Sequence, residues 1–250
     1  MALFKPRQKA EEAYRFADMH CHLLPGMDDG SQDEKMTLEL LRIAAAEGID
    51  SMILTPHYIP GRAEPPRSSI RERTEEWNTV CEKEGIQIRL YPGSEFYFAE
   101  NADRFLERHN VQTLNGTNRL LVEFPVDASD DFILESTRSM LGLGYVPVLA
   151  HIERYHMLVG NKRDIWRLKD LGAELQVNAA SLTGRLGSHM KRFLFSLLDE
   201  HLIDYIGTDA HHPAFRPPYV RQCLAELYKK IDKDYAEEIT YLNTKSLMEP

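Results

Sequence analysis

The sequence predicts an α/β fold in which seven parallel strands form a closed or nearly closed barrel. Short apolar runs alternate with helix-like stretches, and successive runs end about 27 to 38 residues apart. Spacings of this length are typical of βα units. Each run also ends in a polar residue. In barrels of this kind the functional side chains lie at the carboxyl ends of the strands.

The predicted strands are residues 14–20, 51–57, 86–95, 119–123, 145–151, 173–178 and 203–209. Their last residues are His20, His57, Glu95, Glu123, His151, Asn178 and Asp209. An open, doubly wound sheet is the alternative, but it would gather ligands only where the strand order reverses. We therefore expect one barrel domain over residues 14–250, preceded by a polar N-terminal extension over residues 1–13.

The predicted helices have recognisable end signals. Ser31 and Glu34 form a capping-box pattern that predicts a helix start, and Gly48 is expected to end that helix. Glycines in the same position before later strands are Gly85, Gly144 and Gly172. Amphipathic patterns predict helices over 164–171, 188–200 and 218–231, the last with Pro218 near its first turn. Residues 58–70 are predicted to form a long loop, a candidate lid beside the second strand end.

Composition excludes several classes of function. The net charge of −9 argues against nucleic-acid binding, which requires a basic face. It is compatible with an anionic substrate, because bound divalent cations reverse the local charge. The cysteines Cys21, Cys81 and Cys223 form no CxxC pair and no disulfide framework, which favours a cytoplasmic location. No stretch reaches the ~20 apolar residues of a membrane-spanning helix, so membrane insertion is not expected.

Histidines and carboxylates at the strand ends predict a metal centre. His20 and His22 should point to one side of a strand, because side chains alternate with a period of two. Asp209 and His211 repeat this spacing on the last predicted strand, and Asp29 lies in the turn of residues 28–30. The candidate ligands are His20, His22, Asp29, His57, Glu95, Glu123, His151, Asp209 and His211.

This donor set indicates more than one ion and suggests a reaction. Buried carboxylates without partners cost several kcal/mol, so purely structural roles for all of them are a poor explanation. Nitrogen and oxygen donors suit Mn, Fe or Zn, and three ions that share a bridging carboxylate would use the whole set. Such ions lower the pKa of bound water and polarise phosphoryl oxygens. Metal-dependent hydrolysis of a phosphate ester is therefore predicted.

Arginines and cysteines refine this hypothesis. Arg154 and Arg216 follow His151 and His211 closely and are candidates for bidentate contact with phosphate. A cysteine-dependent phosphatase would need an arginine six residues after its nucleophile. The residues found there are Met27, Gln87 and Lys229. Cys21 is therefore interpreted as a small packing residue that points away from the ligands.

The motifs resemble a known family. They are DMHCHLLPGMDDGS, LTPHY, YPGSEFYF, LLVEFP, LAHIERY and GTDAHH followed by RPP, and they span nearly the whole chain after residue 14. They resemble the polymerase and histidinol phosphatase (PHP) superfamily, whose members are distorted seven-stranded (β/α)7 barrels with a trinuclear metal site. Within it, they are similar to the bacterial protein tyrosine phosphatases of capsule and exopolysaccharide loci. Ser31 stands where proline is common in that family, and the segment before Tyr14 has no counterpart.

The resemblance implies a role for each matched residue. It assigns His20, His22, Glu95 and Asp209 to a first metal. Glu95 would bridge to a second metal, which Glu123 and His151 also bind. The resemblance assigns a third metal to Asp29, His57 and His211. It assigns Arg154 and Arg216 to the phosphate and favours manganese. The implied substrate is phosphotyrosine on a bacterial tyrosine kinase that controls polysaccharide chain length and export.

Two other functions stay open from the sequence. A small-molecule phosphomonoesterase, such as histidinol-phosphate phosphatase, would have a deeper pocket than the shallow, open site expected for a protein substrate. A non-catalytic barrel that binds a partner would be expected to lose ligands, whereas all nine positions are present. Aromatic residues that either line a tyrosine pocket or pack in the core are Tyr58, Phe96, Tyr97 and Phe98. The oligomeric state is not predicted.

Overall fold

A computed structural model describes residues 14–108 and 110–249 and shows a mixed α/β chain with a curled parallel sheet. Its strands are β1 Phe16–Cys21, β2 Ile49–Leu54, β3 His57–Tyr58, β4 Arg89–Pro92, β5 Glu95–Tyr97, β6 Arg119–Glu123, β7 Val146–Leu149, β8 Glu174–Asn178 and β9 Tyr205–Gly207. They form one sheet in the order β1-β2-β4 and another in the order β3-β5-β6-β7-β8-β9, with parallel pairing throughout. The predicted extension, residues 1–13, lies outside the described residues.

Two predicted strands are each divided into two. The run 51–57 is interrupted at Pro56, which has no backbone N–H to donate to a neighbouring strand. The run 86–95 is interrupted after Pro92, and its observed strands begin only at Arg89. A Cβ at Gly93 would stand 2.7 Å from Cγ2 of Ile53, so this close approach requires glycine. At both interruptions the chain passes from the first sheet to the second.

The first and last strands lie side by side. Asp209 N donates to the His20 carbonyl at 2.8 Å, and His22 N donates to the Ala210 carbonyl at 2.8 Å. The buried Asp18 carboxylate accepts the backbone N–H of Thr208 at 2.9 Å, and burial raises the pKa of Asp18 to about 6. These contacts bring the first and last predicted ligand motifs of the sequence to the same rim.

Helices connect most of the strands. They are α1 Glu34–Glu47, α2 Arg67–Glu84, α3 Asp103–Leu106, α4 Asp130–Gly142, α5 Lys162–Leu171, α6 Ala179–Leu182, α7 Gly187–Leu198, α8 Arg221–Lys230, α9 Lys233–Glu237 and α10 Asn243–Met248. A π-helical stretch, Glu238–Leu242, lies between α9 and α10. Within residues 14–108 and 110–249, every helix is too short or too polar to cross a bilayer.

Strand alternation divides the core into two clusters. In β6, Leu121 belongs to a small inner cluster, whereas its neighbours Leu120 and Val122 pack in the larger outer cluster. The inner cluster also contains Ala17, Met19, Ile53 and Val148 from three other strands. Because side chains alternate along each strand, one apolar set lies inside the curl of the sheet and the other beneath the helices.

Some predicted helix ends are confirmed and others are wrong. Gly48 adopts the left-handed conformation that ends α1, with φ 91°. The predicted capping box is wrong, because Asp33 caps α1 and accepts the N–H of Met36 at 2.8 Å. Ser31 instead contacts the Thr37 hydroxyl at 2.7 Å. The helix therefore begins two residues later than the capping-box pattern predicts.

Two further boundaries differ from the prediction. Helix α8 begins at Arg221, so Pro218 precedes the helix and is not in its first turn. The predicted loop 58–70 is shorter, because Tyr58 belongs to β3 and α2 already begins at Arg67. Pro66 stands immediately before α2, where an extended backbone favours a helix start.

Candidate metal centre

Glu95 lies at the centre of the predicted ligand set. It stands at the start of β5 and is almost fully buried. Its Oε1 is 3.0 Å from Nε2 of His151 and 3.3 Å from Nε2 of His20. Its Oε2 is 3.2 Å from Nε2 of His22 and 3.0 Å from Nδ1 of His57. One carboxylate thus faces four imidazoles that come from different parts of the sequence.

The donor atoms form three overlapping groups, each within 4.8 Å. These groups are His22, Asp29, His57 and His211; His20, His22 and Glu95; and His57, Glu95 and Glu123. His151 lies beside the third group, since its Nε2 is 3.4 Å from Oε1 of Glu123. The structure therefore brings the predicted donors, including Asp209, to one rim.

The two carboxylate oxygens of Asp209 have different partners. Oδ1 faces the imidazoles and lies 3.5 Å from Nε2 of His20. Oδ2 accepts hydrogen bonds from Arg154 at 2.8 Å, from the Asn178 amide at 2.9 Å and from Arg216. Burial opposes ionisation, but the charges on His20 and the neighbouring histidine and arginine groups lower the pKa of Asp209. The carboxylate joins the imidazole cluster to the two predicted phosphate-binding arginines.

Two of the predicted ligands have strained backbone conformations. Asp209 has φ 53° and His151 has φ 34°, a region that residues other than glycine rarely adopt. Because β9 ends at Gly207, Asp209 and His211 do not share a strand, and that part of the prediction is wrong. His211 still reaches the centre, because its Nδ1 donates to the Asp209 carbonyl at 3.0 Å and its Nε2 lies 3.7 Å from Asp29.

Asp28 is a functional candidate that the sequence argument missed. Its Oδ2 accepts Nδ1–H of His22 at 2.6 Å and the backbone N–H of His57 at 3.0 Å, while Oδ1 accepts the N–H of Gly30 at 2.9 Å. Burial opposes ionisation, but the charge and hydrogen bond of His22 outweigh it and lower the pKa of Asp28 to about 2. A carboxylate behind a histidine fixes which nitrogen faces a metal.

A chain of buried amides supports the opposite side of the cluster. The Gln176 Oε1 atom accepts Nδ1–H of His20 at 3.2 Å and the backbone N–H of His151 at 2.7 Å. Its Nε2 donates to Asn178 at 2.8 Å, and Asn178 donates in turn to Asp209. Both amides lie on β8 two residues apart, and this spacing is the sequence signal that could have identified them.

Several buried nitrogen and oxygen atoms of the described residues make no properly aligned hydrogen bond, even where another donor atom of the cluster is 3.0 or 3.2 Å away. They include Nδ1 of His57, Oε2 of Glu95 and Nε2 of His211. Leaving a buried polar atom unpaired costs about 1–3 kcal/mol, so an arrangement of three needs an explanation. All three atoms belong to the cluster of nitrogen and oxygen donors described above. A divalent cation would satisfy them, and the residues therefore fit a metal site.

The open side of the centre is formed by Asp29 and His57. The Asp29 side chain is 71% exposed and lies 3.3 Å from Nε2 of His57. A hydrogen bond from His57 lowers the pKa of Asp29. Burial opposes protonation of His57, but Asp29 and Glu95 raise its pKa to about 11. Because Asp29 is exposed, this side of the cluster is open to solvent.

Cys21 and most of the aromatic candidates belong to the core. The Cys21 thiol is buried and donates to the Ile53 carbonyl at 3.3 Å, and burial raises the pKa of Cys21 well above its usual range. Tyr58, Phe96 and Phe98 are also buried and pack in the outer hydrophobic cluster. Tyr97 is half-buried. Three of the four aromatic residues therefore pack in the core, which is the second of the two roles that the sequence left open for them.

Fold and site together define an α/β protein with a histidine- and carboxylate-rich centre at the carboxyl ends of its strands. The chain belongs to the capsular polysaccharide synthesis CpsB/CapC family, whose model matches residues 16–249. It is 31% identical to tyrosine-protein phosphatase YwqE of Bacillus subtilis, over 92% of this chain and 89% of that protein. It is 28% identical to tyrosine-protein phosphatase CpsB of Streptococcus pneumoniae, over 92% of this chain and 97% of that protein.

Solved structures agree with this family assignment. One comes from the pair YwqE of Bacillus subtilis and CpsB of Streptococcus pneumoniae, described as unique metal-dependent tyrosine phosphatases. It superposes with a TM-score of 0.85 at 30% identity, covering 93% of this chain and 94% of that chain. A histidinol phosphate phosphatase from Lactococcus lactis has a TM-score of 0.57 at 14% identity, covering 86% of this chain and 93% of that chain. The latter shows a shared fold alone.

Proposed function

We propose that this chain is a metal-dependent protein tyrosine phosphatase that acts on a bacterial tyrosine kinase controlling capsule or exopolysaccharide synthesis. The observation that carries the proposal is the position of Glu95 among four imidazoles, beside a carboxylate that holds two arginines. Relatives named tyrosine-protein phosphatase, matched over most of the chain, support the choice of substrate. Its location in the cytoplasm remains an expectation from cysteine usage.

The ligands divide into three sets in this proposal. His20, His22, Glu95 and Asp209 would hold the first ion; Glu95, Glu123 and His151 would hold the second; Asp29, His57 and His211 would hold the third. Facing donors within each set lie 3.0–3.7 Å apart. His57 also lies 3.0 Å from Glu95, so the division itself follows the family resemblance. Manganese is the expected metal, with iron or zinc as alternatives. When bound, such ions supply an activated water and polarise the phosphoryl group.

The remaining residues position the phosphate and the ligating side chains. Arg154 and Arg216 bind the phosphate oxygens bidentately, and Asp209 holds both guanidinium groups at the edge of the cluster. Asp28, Gln176 and Asn178 fix the orientation of the ligating side chains. Asp29 is 71% exposed, so this side of the proposed centre is open to solvent, as expected for a protein substrate. Cys21 takes no part, because its thiol stays protonated and buried.

We further propose that the two sheets form one distorted seven-stranded (β/α)7 barrel and that residues 14–250 are a single domain. The contact between β1 and the segment after β9, the continuation of β2 and β4 into β3 and β5, and the inner apolar cluster support this architecture. The family match over residues 16–249 is compatible with one domain.

Metal reconstitution followed by rate measurements tests the proposed function. Protein loaded with Mn should hydrolyse phosphotyrosine peptides and lose this activity in EDTA. His151→Ala should lower metal content and reduce kcat by orders of magnitude, while His189→Ala, at an exposed position on α7, should change neither. Faster hydrolysis of histidinol phosphate than of any phosphotyrosine peptide would indicate the small-molecule alternative. Less than one equivalent of metal after reconstitution would indicate a non-catalytic barrel.

A further inference from the structure

A groove adjoins the candidate metal centre on the side of Arg154. It has a volume of about 560 Å³, and its apolar walls are Val126, Val159, Leu186 and Met190. This volume is within the ~300–1,000 Å³ range that is typical of ligand sites. Arg154 lines the groove and also donates to Asp209 at 2.8 Å. One side chain therefore belongs to both the groove and the centre.

The groove exposes apolar side chains beside a polar rim. Leu186 is 51% exposed and Val126 is 46% exposed. Phe215 is 70% exposed, and its carbonyl accepts the Arg185 guanidinium at 2.6 Å, which ties the loop carrying Arg216 to the residue beside Leu186. On the other wall, His156 N donates to the Val126 carbonyl at 3.0 Å. Contiguous exposed apolar groups held in place in this way are typical of a binding surface.

We propose that this groove is a subsite for the peptide segment beside the phosphorylated tyrosine and that it favours an apolar residue there; this inference rests on the proposed function. A phosphate held by Arg154 places the rest of the substrate at the mouth of the groove. The four apolar walls match an aliphatic side chain. They are far fewer than the roughly 20–30 residues a side of a stable dimer interface, which argues against a second copy as the occupant.

Two phosphotyrosine peptides test the subsite on the Mn-loaded enzyme. One has leucine on both sides of the phosphotyrosine, and the other has serine. We expect kcat/KM to be about tenfold higher for the leucine peptide, since burying an aliphatic side chain stabilises the complex. Leu186→Ser should reduce this preference at least about threefold, mainly through KM. Leu242→Ser, a control at a leucine that is 49% exposed in the π-helical stretch, should keep the wild-type preference.

Several results would overturn the subsite. One is equal kcat/KM for the two peptides in the wild-type enzyme. Another concerns p-nitrophenyl phosphate, which is too small to fill the groove. If Leu186→Ser lowered kcat/KM for this substrate as much as for the leucine peptide, the subsite would be refuted. A dimer that Leu186→Ser dissociates would assign the groove to a second copy. Failure to hydrolyse any phosphotyrosine peptide with metal bound is a different result, which refutes the proposed function itself.

Discussion

Replacing Asp28 by asparagine tests how the centre selects the metal-facing nitrogen of His22. Oδ2 of Asp28 accepts two N–H groups, from His22 and His57, and Oδ1 accepts a third, from Gly30. An amide has one acceptor oxygen, so in either orientation at least one of these donors faces an NH2 group. With the NH2 group toward His22, the imidazole proton moves to Nε2, the nitrogen that faces Glu95.

The expected loss follows from these contacts. An unpaired buried donor costs about 1–3 kcal/mol, and mutation of residues behind metal ligands typically lowers metal affinity by about 10–100-fold. We expect Asp28→Asn to lose affinity for Mn within this range, in addition to the fall in stability of the apo protein that the unpaired donor causes. Isothermal titration with Mn measures the affinity, and thermal unfolding in EDTA measures the stability.

Asp170→Asn provides a matched control, because Asp170 is exposed near the end of α5. This variant should bind Mn like the wild-type protein. If Asp28→Asn also bound Mn within twofold of wild type, Asp28 would not orient His22 and the reasoning would be wrong. An equal fall in stability and affinity would reduce its role to folding.

Three further outcomes are expected. Arg154→Ala should lose about 100-fold in kcat/KM on phosphotyrosine at unchanged metal content, because a guanidinium aimed at the phosphate is removed; unchanged kinetics would refute its role. Cys21→Ser should keep metal and activity, since the buried thiol has a raised pKa, whereas an inactive variant with its metal intact would indicate cysteine chemistry. Burial opposes protonation of His22, but Asp28 and Glu95 raise its pKa to about 9, so Mn must displace this proton. The affinity for Mn should therefore increase from pH 6 to pH 8, and binding should release protons. Calorimetry in buffers of different ionisation enthalpy measures this release, and proton uptake or an affinity that falls with pH would contradict the expectation.

The sequence predicted the donors because they follow a simple rule. Polar residues such as Glu95 and His151 stand where apolar runs end, and parallel strands bring those ends together. The prediction of a donor holds even where the predicted strand does not extend to that residue. Asp209 reaches the cluster through a left-handed backbone and not as part of a strand.

The supporting residues were harder to predict from the sequence. Gln176 and Asn178 are uncharged, and their two-residue spacing, the one signal they offer, resembles ordinary polar alternation on a strand. Asp28 could not be distinguished from Asp29, because only the path of the turn decides which carboxylate reaches His22 and which faces solvent. The break at Gly93 depends on contact with another strand, which no local pattern records.

Anomalous diffraction from crystals of the Mn-loaded protein tests the shared carboxylate most directly. The account predicts Mn peaks on both sides of Glu95, about 2.2 Å from its two oxygens, with His151 and Asp209 among the other ligands. A single peak that Glu95 does not contact, or peaks only outside the rim formed by these side chains, would contradict it.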